Sequence, residues 1–465
     1  MRTRKRTRRW RRWRRARKRG IALIMVLGSL TILTMMLAEF QADTSATLAS
    51  AMADRDGVQA EYNARSAVNL SRLLIAMEPT IRQFIAPIFA FMQRQPPQLP
   101  VWEFADRLLA PFNDKDANTQ FANSIGVDFG SGKNLGLPAG RFEVKIVDED
   151  AKINVNLGAS NDIAHIRLAK ELMGLMAPPQ YNPLFEQRDS TGNYHDRMTI
   201  CAAIIDWADV DESAMNCDTQ TQQAPTSAGV EDAYYQLLAV KPYRRKNAPY
   251  DSLEELHMVR GISEDFWATF VDPDPTNPDK RVMTVWGQGT VNVNSANAQT
   301  LLGVVCSGAP TADVCTNPIQ ASTFLMGVTM ARGMTMGAPL FGSTADFISM
   351  MKGEGPLGGI IKGMGMTPVK FLSEAEFAKT ITTESKVFSI YAVGVVKGYK
   401  RETRLRITTV VDFRNAAPLT GGFPLGGLPG QTPPTTTTPQ QTQNTQNTPL
   451  VTPATGGNVL YFRID

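Results

Sequence analysis

The most regular pattern along the chain is an uninterrupted apolar run. Ile21 to Ala38 carries no charge and stops at Glu39. That length suits one membrane-crossing helix, which needs ~17–25 apolar residues. The chain does not break afterwards. From Gln41 to Met77 there is no proline and one glycine, Gly57, and Ala, Leu, Glu, Arg and Gln, all good helix formers, are frequent. Leu70, Leu73, Leu74 and Met77 recur at helical spacing, and Val58 and Tyr62 sit one turn apart. Pro79 is the expected stop. Ile21–Met77 therefore reads as one helix, roughly 85 Å long at ~1.5 Å per residue. Its first third is apolar all round. The rest is amphipathic and needs a surface to pack on.

Further on, the period changes. Phe142–Asp148 alternates apolar and polar like a half-buried strand, and Lys152–Asn156 is a second short candidate. A helix-rich and loop-rich stretch follows to about residue 370. Val387–Val396 and Leu405–Phe413 are two more alternating strands, joined at Gly398-Tyr399-Lys400 as a hairpin. Residues 415–458 are rich in Pro, Thr, Gln and Gly, with no apolar period, and cannot bury enough surface to fold. Val459–Ile464 is strand-like again. The economical reading is a disordered loop inserted before the last strand of one sheet; the alternative is a free tail with an apolar end.

Two short segments echo each other. Ile153-Asn154-Val155-Asn156 precedes a helical stretch at Asp162–Met176, and Val291-Asn292-Val293-Asn294 precedes another at Ala296–Val305. Asn and Ser suit caps at a strand-to-helix switch, so two related helical submodules are one reading and coincidence the other. Tyr250–Phe270 has the form of a helix-hairpin-helix unit. Ser252 and Glu255 would make a capping box, Ser263 would cap the second helix, and Arg260-Gly261-Ile262 would be the turn.

Charge sharpens this picture. The first twenty residues hold thirteen of the 48 Lys and Arg and none of the 44 acids, leaving 35 basic against 44 acidic groups beyond them. That remainder, net −9, argues against a nucleic-acid binder running on bulk positive charge. A basic flank before the apolar run holds its own side cytoplasmic and sends the rest of the chain outward. A cleaved signal peptide or a plain signal anchor would share these features. However, the small residue, Gly20, lies before the apolar run and not after it.

A basic leader ending in Gly, then an apolar helix that continues into an amphipathic half, resembles a type IV pilin or pseudopilin. The resemblance implies cleavage by prepilin peptidase between Gly20 and Ile21, with methylation of the new N-terminus. Most members of that family carry Glu at the fifth mature position, which is thought to pair with the free N-terminus of the subunit above. Here that position is Met25. A subunit lacking the Glu suits the filament tip. Lack of this Glu marks the general secretion pathway protein K family, the largest minor pseudopilins of type II secretion.

Further blocks resemble the same family. They are Arg55–Ala60 with Tyr62–Ala67, Asp148–Asn156, Ile205–Asp209, Glu231–Tyr235 and Tyr250–Leu256. The resemblance implies an α+β fold in which a long N-terminal helix packs on a small antiparallel sheet, with a large inserted α-helical domain. The division expected is a leader (1–20), the N-terminal helix (21–77), a first pilin-like part (78–158), the insert (159–370), late strands (371–414), the Pro/Thr/Gln-rich loop (415–458) and a terminal strand (459–465). The role implied is structural and non-enzymatic. The protein would cap the pseudopilus tip, seed assembly and limit length, anchored once in the inner membrane with its bulk periplasmic. The partners implied are other minor pseudopilins, the major pseudopilin, prepilin peptidase and the inner-membrane secretion platform. The alternative is a tip pilin that binds DNA or another ligand for uptake or adhesion. That reading would use the helix-hairpin-helix and the nearby basic run of Lys241, Arg244, Arg245 and Lys246.

The sharpest chemical candidate is the acidic loop after Asp206. Asp209, Asp211 and Glu212 are spaced so that their carboxylates could converge, and Glu231 and Asp232 could close the site from the next helix start. Hard oxygen ligands of this kind suit calcium, which takes 6–8 at ~2.3–2.6 Å. The family resemblance implies calcium in the insert as well. An ordinary solvated acidic loop is the alternative. An extracytoplasmic place favours disulfides among Cys201, Cys217, Cys306 and Cys315. Three pairings exist, and local pairing, Cys201 with Cys217 and Cys306 with Cys315, is expected. No nucleophile constellation surrounds His165, His195 or His257, and no phosphate-binding glycine motif is present.

Overall fold

The computed structural model describes residues 6–91, 95–113, 140–188, 192, 194–218, 226–230, 233–238, 241–335, 338–398, 401–417 and 455–465. Helix α1 runs from Arg6 to Phe91 without a break, roughly 130 Å at ~1.5 Å per residue. It does not stop at Pro79. Pro79 and Pro87 both lie inside it. An interior proline costs about 3 kcal/mol through a lost hydrogen bond and a ring clash. Tertiary anchoring straddles Pro79 and offsets that cost. Buried Glu78 pairs with Arg82 one turn on at 2.8 Å and accepts the Leu99 N–H at 2.9 Å, and Arg82 also reaches Glu384 at 2.5 Å.

After α1 come a 3-10 turn (Val101–Phe104) and helix α2 (Ala105–Leu109). Strand β1 (Arg141–Asp148) follows, then β2 (Ile153–Asn154). The insertion holds α3 (Asp162–Met176), α4 (Arg197–Ala208), β3 (Ser213–Met215) with β4 (Thr226–Val230), β5 (Met283–Thr284), β6 (Val291–Asn292), α5 (Ala298–Gly308), α6 (Pro318–Thr335), α7 (Thr344–Met351) and α8 (Gly355–Gly363). The chain returns through β7 (Ile381–Thr382) to β8 (Val387–Lys397), β9 (Glu402–Asp412) and β10 (Asn458–Ile464). The hairpin turn expected at 398–400 has residues 399 and 400 outside the described set, and most of the Pro/Thr/Gln-rich loop lies outside it too.

The fold is α+β and pilin-like. One four-stranded antiparallel sheet, ordered β1-β8-β9-β10, packs against the second half of α1. The sheet alternates as its sequence does. Phe388, Ile390, Ala392, Ile407 and Val411 face α1 and meet Ala64, Ala67, Val68 and Ile75, with Trp102 packed on Phe388 at a ring distance of 4.7 Å. Small residues let helix and sheet come close. A Cβ at Gly394 would overlap the Ala60 carbonyl, so only glycine fits there.

The insertion, entered after β1 and left before β8, has its own core, built on Leu168, Leu172, Ile204, Phe270, Leu301, Phe324 and Phe347. The two echoing segments are structurally equivalent. Asn154 Oδ1 accepts the Asn156 N–H and Asn292 Oδ1 accepts the Asn294 N–H, at 3.0 and 2.9 Å. Asn156 then clamps Tyr250 and Val285, while Asn294 clamps Leu340 and Phe341. Each segment pairs in parallel with a partner strand, β2 with β5 and β6 with β7. Each leads to an Asn-capped helix, α3 behind Asn161 and α5 behind Asn297.

Candidate functional site

From Gly20 to Leu48, α1 is exposed at every position but Gly28, which is half-buried. Ile21, Met25, Leu30, Met36 and Phe40 are all exposed, Met25 at 70%. Among the described residues α1 is the one helix long and apolar enough to cross a membrane. Gly20 and Ile21 lie inside it, both exposed, so the bond between them is a helical peptide bond. Burial begins at Asp56, where the sheet starts to cover the helix.

The sheet and the insertion are joined by three consecutive buried carboxylates, Asp148, Glu149 and Asp150. Asp148 accepts the hydroxyls of Ser295 and Ser385. Glu149 takes Lys152 Nζ at 3.0 Å, Ser389 Oγ at 2.6 Å and Thr284 Oγ1 at 2.5 Å. Asp150 takes the N–H of Gln288 at 2.7 Å and those of Lys386 and Val387 at 2.7 and 3.1 Å. One side of the node is β8 and its lead-in; the other is the 284–295 segment of the insertion. Burial and the Asp150 charge raise the Asp148 pKa, and burial raises that of Asp150. Lys152 and hydroxyl donors hold Glu149 below its ordinary value despite burial. The sequence block Asp148–Asn156 thus fixes the insertion's orientation on the sheet. Its run of acids, beside a strand end rich in small hydroxyl and amide residues, was the available signal. Sequence reasoning read the block as a strand and turn, and gave its acids no part in joining sheet to insertion.

The acidic loop is partly drawn inward. Asp206 Oδ1 accepts the Met215 N–H at 2.8 Å, Asp211 Oδ1 accepts the Ser213 N–H at 2.6 Å, and Glu212 is exposed. Asp209 is buried, with Oδ1 3.5 Å from Arg245 and no hydrogen-bond donor. Burial pushes Asp206 and Asp209 up to about 7, and the Asp209 value is raised further by the charges of Asp206 and Asp211. Arg245 opposes that repulsion, donating to the main-chain carbonyls of Asp206 and Asp211. Glu231 and Asp232 lie outside the described residues. Among those described, no three His, Cys, Asp or Glu side chains gather to hold a metal. The undonated Asp209 Oδ1 fits a cation ligand; the remaining described groups do not complete a shell.

Both disulfides are local, Cys201–Cys217 and Cys306–Cys315. The first ties α4 to the segment just beyond β3. The second closes the turn that follows α5.

The helix-hairpin-helix expectation is corrected in its first half. Leu253–Met258 is a 3-10 helix and Ser252 makes no side-chain cap. Glu255 instead accepts the Asp251 N–H at 3.0 Å and pairs with Lys246 at 2.9 Å, which draws it away from Ser252. Ser263 does cap the second helix, accepting the Phe266 N–H at 3.2 Å. The basic run beside the unit turns inward at two positions. Arg245 is buried in the acidic loop and Lys246 is held by Asp251 and Glu255. His195-Asp196 is structural on the Asp196 side, which caps α4 by accepting the Thr199 N–H at 2.7 Å.

No family model and no curated protein matches this chain. Among solved structures it is similar to a chain of the GspK-GspI-GspJ complex from the type 2 secretion system of enterotoxigenic Escherichia coli. Identity is 15%, the match covers 59% of this chain and 76% of that one, and the TM-score is 0.34.

Proposed function

We propose that this chain is a minor pseudopilin of a type II secretion system. It is anchored once in the inner membrane, with its bulk periplasmic, and placed at the pseudopilus tip, where it starts assembly and limits length. The observation that carries this reading is the division of α1. Its stretch from Ile21 to Ala38 is apolar and exposed, while its second half is packed on a small antiparallel sheet. A helix of that kind needs two environments, a bilayer or filament core for one half and its own sheet for the other. Two features support the tip. Met25 offers no carboxylate to an N-terminus above it. The insertion, fixed to the sheet by the Asp148–Asp150 node, adds bulk that a stacked subunit would have to displace.

In this reading Gly20–Ile21 is the prepilin peptidase site, and the partners are the other minor pseudopilins, the major pseudopilin and the inner-membrane platform. The role is structural, with no chemistry assigned to the chain. Calcium, held by Asp209 with Asp211, Glu212, Glu231 and Asp232, belongs to the same proposal; the undonated Asp209 Oδ1 supports it. DNA binding is not favoured, because Arg245 and Lys246 are committed to carboxylates and carbonyls of the chain itself. Gold labelling of pseudopili, overassembled by excess major pseudopilin, tests the tip position. Label at one end of each filament is the expected result; label along the shaft contradicts it.

A further inference from the structure

The two edges of the sheet are finished differently. At β1 the Phe142 N–H donates to Asn113 Oδ1 and its carbonyl accepts from Asn113 Nδ2, both at 2.7 Å. A carboxamide pinned across the edge blunts it against strand addition. On β10, Asp465 and Arg406 exchange both main-chain hydrogen bonds, and the register then runs Ile464↔Ile407, Arg463↔Thr408, Phe462↔Thr409. Antiparallel pairs alternate between bonded and non-bonded. The N–H and C=O of Phe462 and Ile464 therefore point away from β9, out of the sheet. Four apolar side chains on this edge are about half exposed among the described residues, Val459 at 47%, Leu460 at 45%, Phe462 at 47% and Ile464 at 42%. The one charge in the strand, Arg463, is turned to Asp465 at 2.6 Å. Arg72 of α1 fixes the strand's start by donating to the carbonyls of Gly456 and Gly457 at 2.8 and 2.9 Å.

We propose that the outer edge of β10 seats a β-strand from a neighbouring pilin-like subunit, an extended segment apolar at alternate positions. It would bond to the main chain of Phe462 and Ile464 and cover their side chains. The inference rests on the pseudopilin reading. The edge chemistry selects a strand, because outward N–H and C=O groups interleaved with apolar side chains are met by extended backbone and not by a helix. A bilayer does not reach this edge. Ile464 pairs with Ile407, which pairs with Ala392, two residues from the Gly394 that sits on Ala60. Ala60 lies roughly 33 Å along α1 beyond Ala38.

Hydrogen exchange on the full chain in detergent tests this, alone and co-purified with the minor pseudopilins of its own secretion system. Alone, the Phe462 and Ile464 amides exchange at least ~10-fold faster than those of Tyr461 and Arg463, and in the complex they slow by ~10-fold or more. Phe462→Pro removes an outward donor without touching a bond to β9, and Ile464→Lys sets a charge where the incoming strand lies. Both variants keep the free chain's unfolding midpoint and reduce the recovered complex by about tenfold. A wild-type complex in which both amides stay fast, or one undiminished by both variants, overturns the proposal and leaves the pseudopilin reading standing. Slow exchange at both amides in the isolated chain, through self-association or through cover by residues 418–454, also overturns it. No complex with the wild-type chain overturns the proposal and the reading beneath it.

Discussion

A Cβ placed on Gly174 of α3 would lie 2.4 Å from the carbonyl oxygen of Gly303 in α5, and one on Gly303 would lie 2.9 Å from the Leu175 Cα. The two glycines are where the equivalent helices of the repeated submodules cross. Their missing side chains let Leu172, Leu175, Leu301 and Val305 pack into one core. Gly174→Ala therefore forces two backbones apart. Overpacking of this kind costs about 1–3 kcal/mol. Urea unfolding should show a lower midpoint at unchanged slope, while unchanged stability would mean the helices are not in this contact.

One turn from Gly174, Glu171 is buried and its Oε1 has no hydrogen-bond partner. Burial pushes its pKa up to about 8, against a lowering by Arg167. The unfolded carboxyl gives up its proton near its ordinary value of 4.5 and the folded one near 8, so between those values the folded state holds the extra proton. Stability then falls as pH rises through that window, by up to ~1.4 kcal/mol per pH unit. Glu171→Gln should flatten that slope in thermal melts from pH 5 to 8. A slope unchanged in the variant would show that Glu171 is not its source.

The bridges Cys201–Cys217 and Cys306–Cys315 account for all four cysteines. Thiol titration of the unfolded, unreduced protein should find no reactive thiol. Replacing both Cys201 and Cys217 by Ser should cost about 2–4 kcal/mol, mainly by freeing the unfolded chain. Peptide mapping that finds Cys201 joined to Cys306 or Cys315 would contradict the pairing.

Calcium, if held at the acidic loop, should raise the thermal midpoint of the full chain, by RT ln(1 + [Ca²⁺]/Kd) in free energy. Asp209→Asn should abolish the rise. The loop's own charge makes the direction of the variant informative without metal too. Asp209 is raised to about 7 by burial and by its acidic neighbours, so removing its charge should stabilise the metal-free chain above pH 7. A calcium response that survives in Asp209→Asn would place the ion elsewhere.

The sequence reading reached the long helix, the three alternating strands and the terminal strand, because each is a strong local period. It raised paired submodules as one of two readings, since Ile153–Asn156 and Val291–Asn294 repeat a cap-forming pattern. It ended α1 too early, because proline is a local signal while the Glu78–Arg82–Glu384 anchoring comes from distant chain. It grouped Arg245 with its basic neighbours as one run, since nothing local says that a guanidinium will fold under a loop of acids. It matched the Asp148–Asp150 block only as a motif. The partners that give those acids a role, Ser295, Ser385 and Ser389, lie far along the chain.

The central claim is that the exposed apolar half of α1 begins a processed pseudopilin. Mass spectrometry of the mature N-terminus, from cells with and without prepilin peptidase, tests it most directly. The account predicts an N-methylated Ile21 that appears only when the peptidase is present. An intact leader in both, or a cut beyond Ala38, would contradict it and make the chain a signal-anchored or secreted protein of another kind.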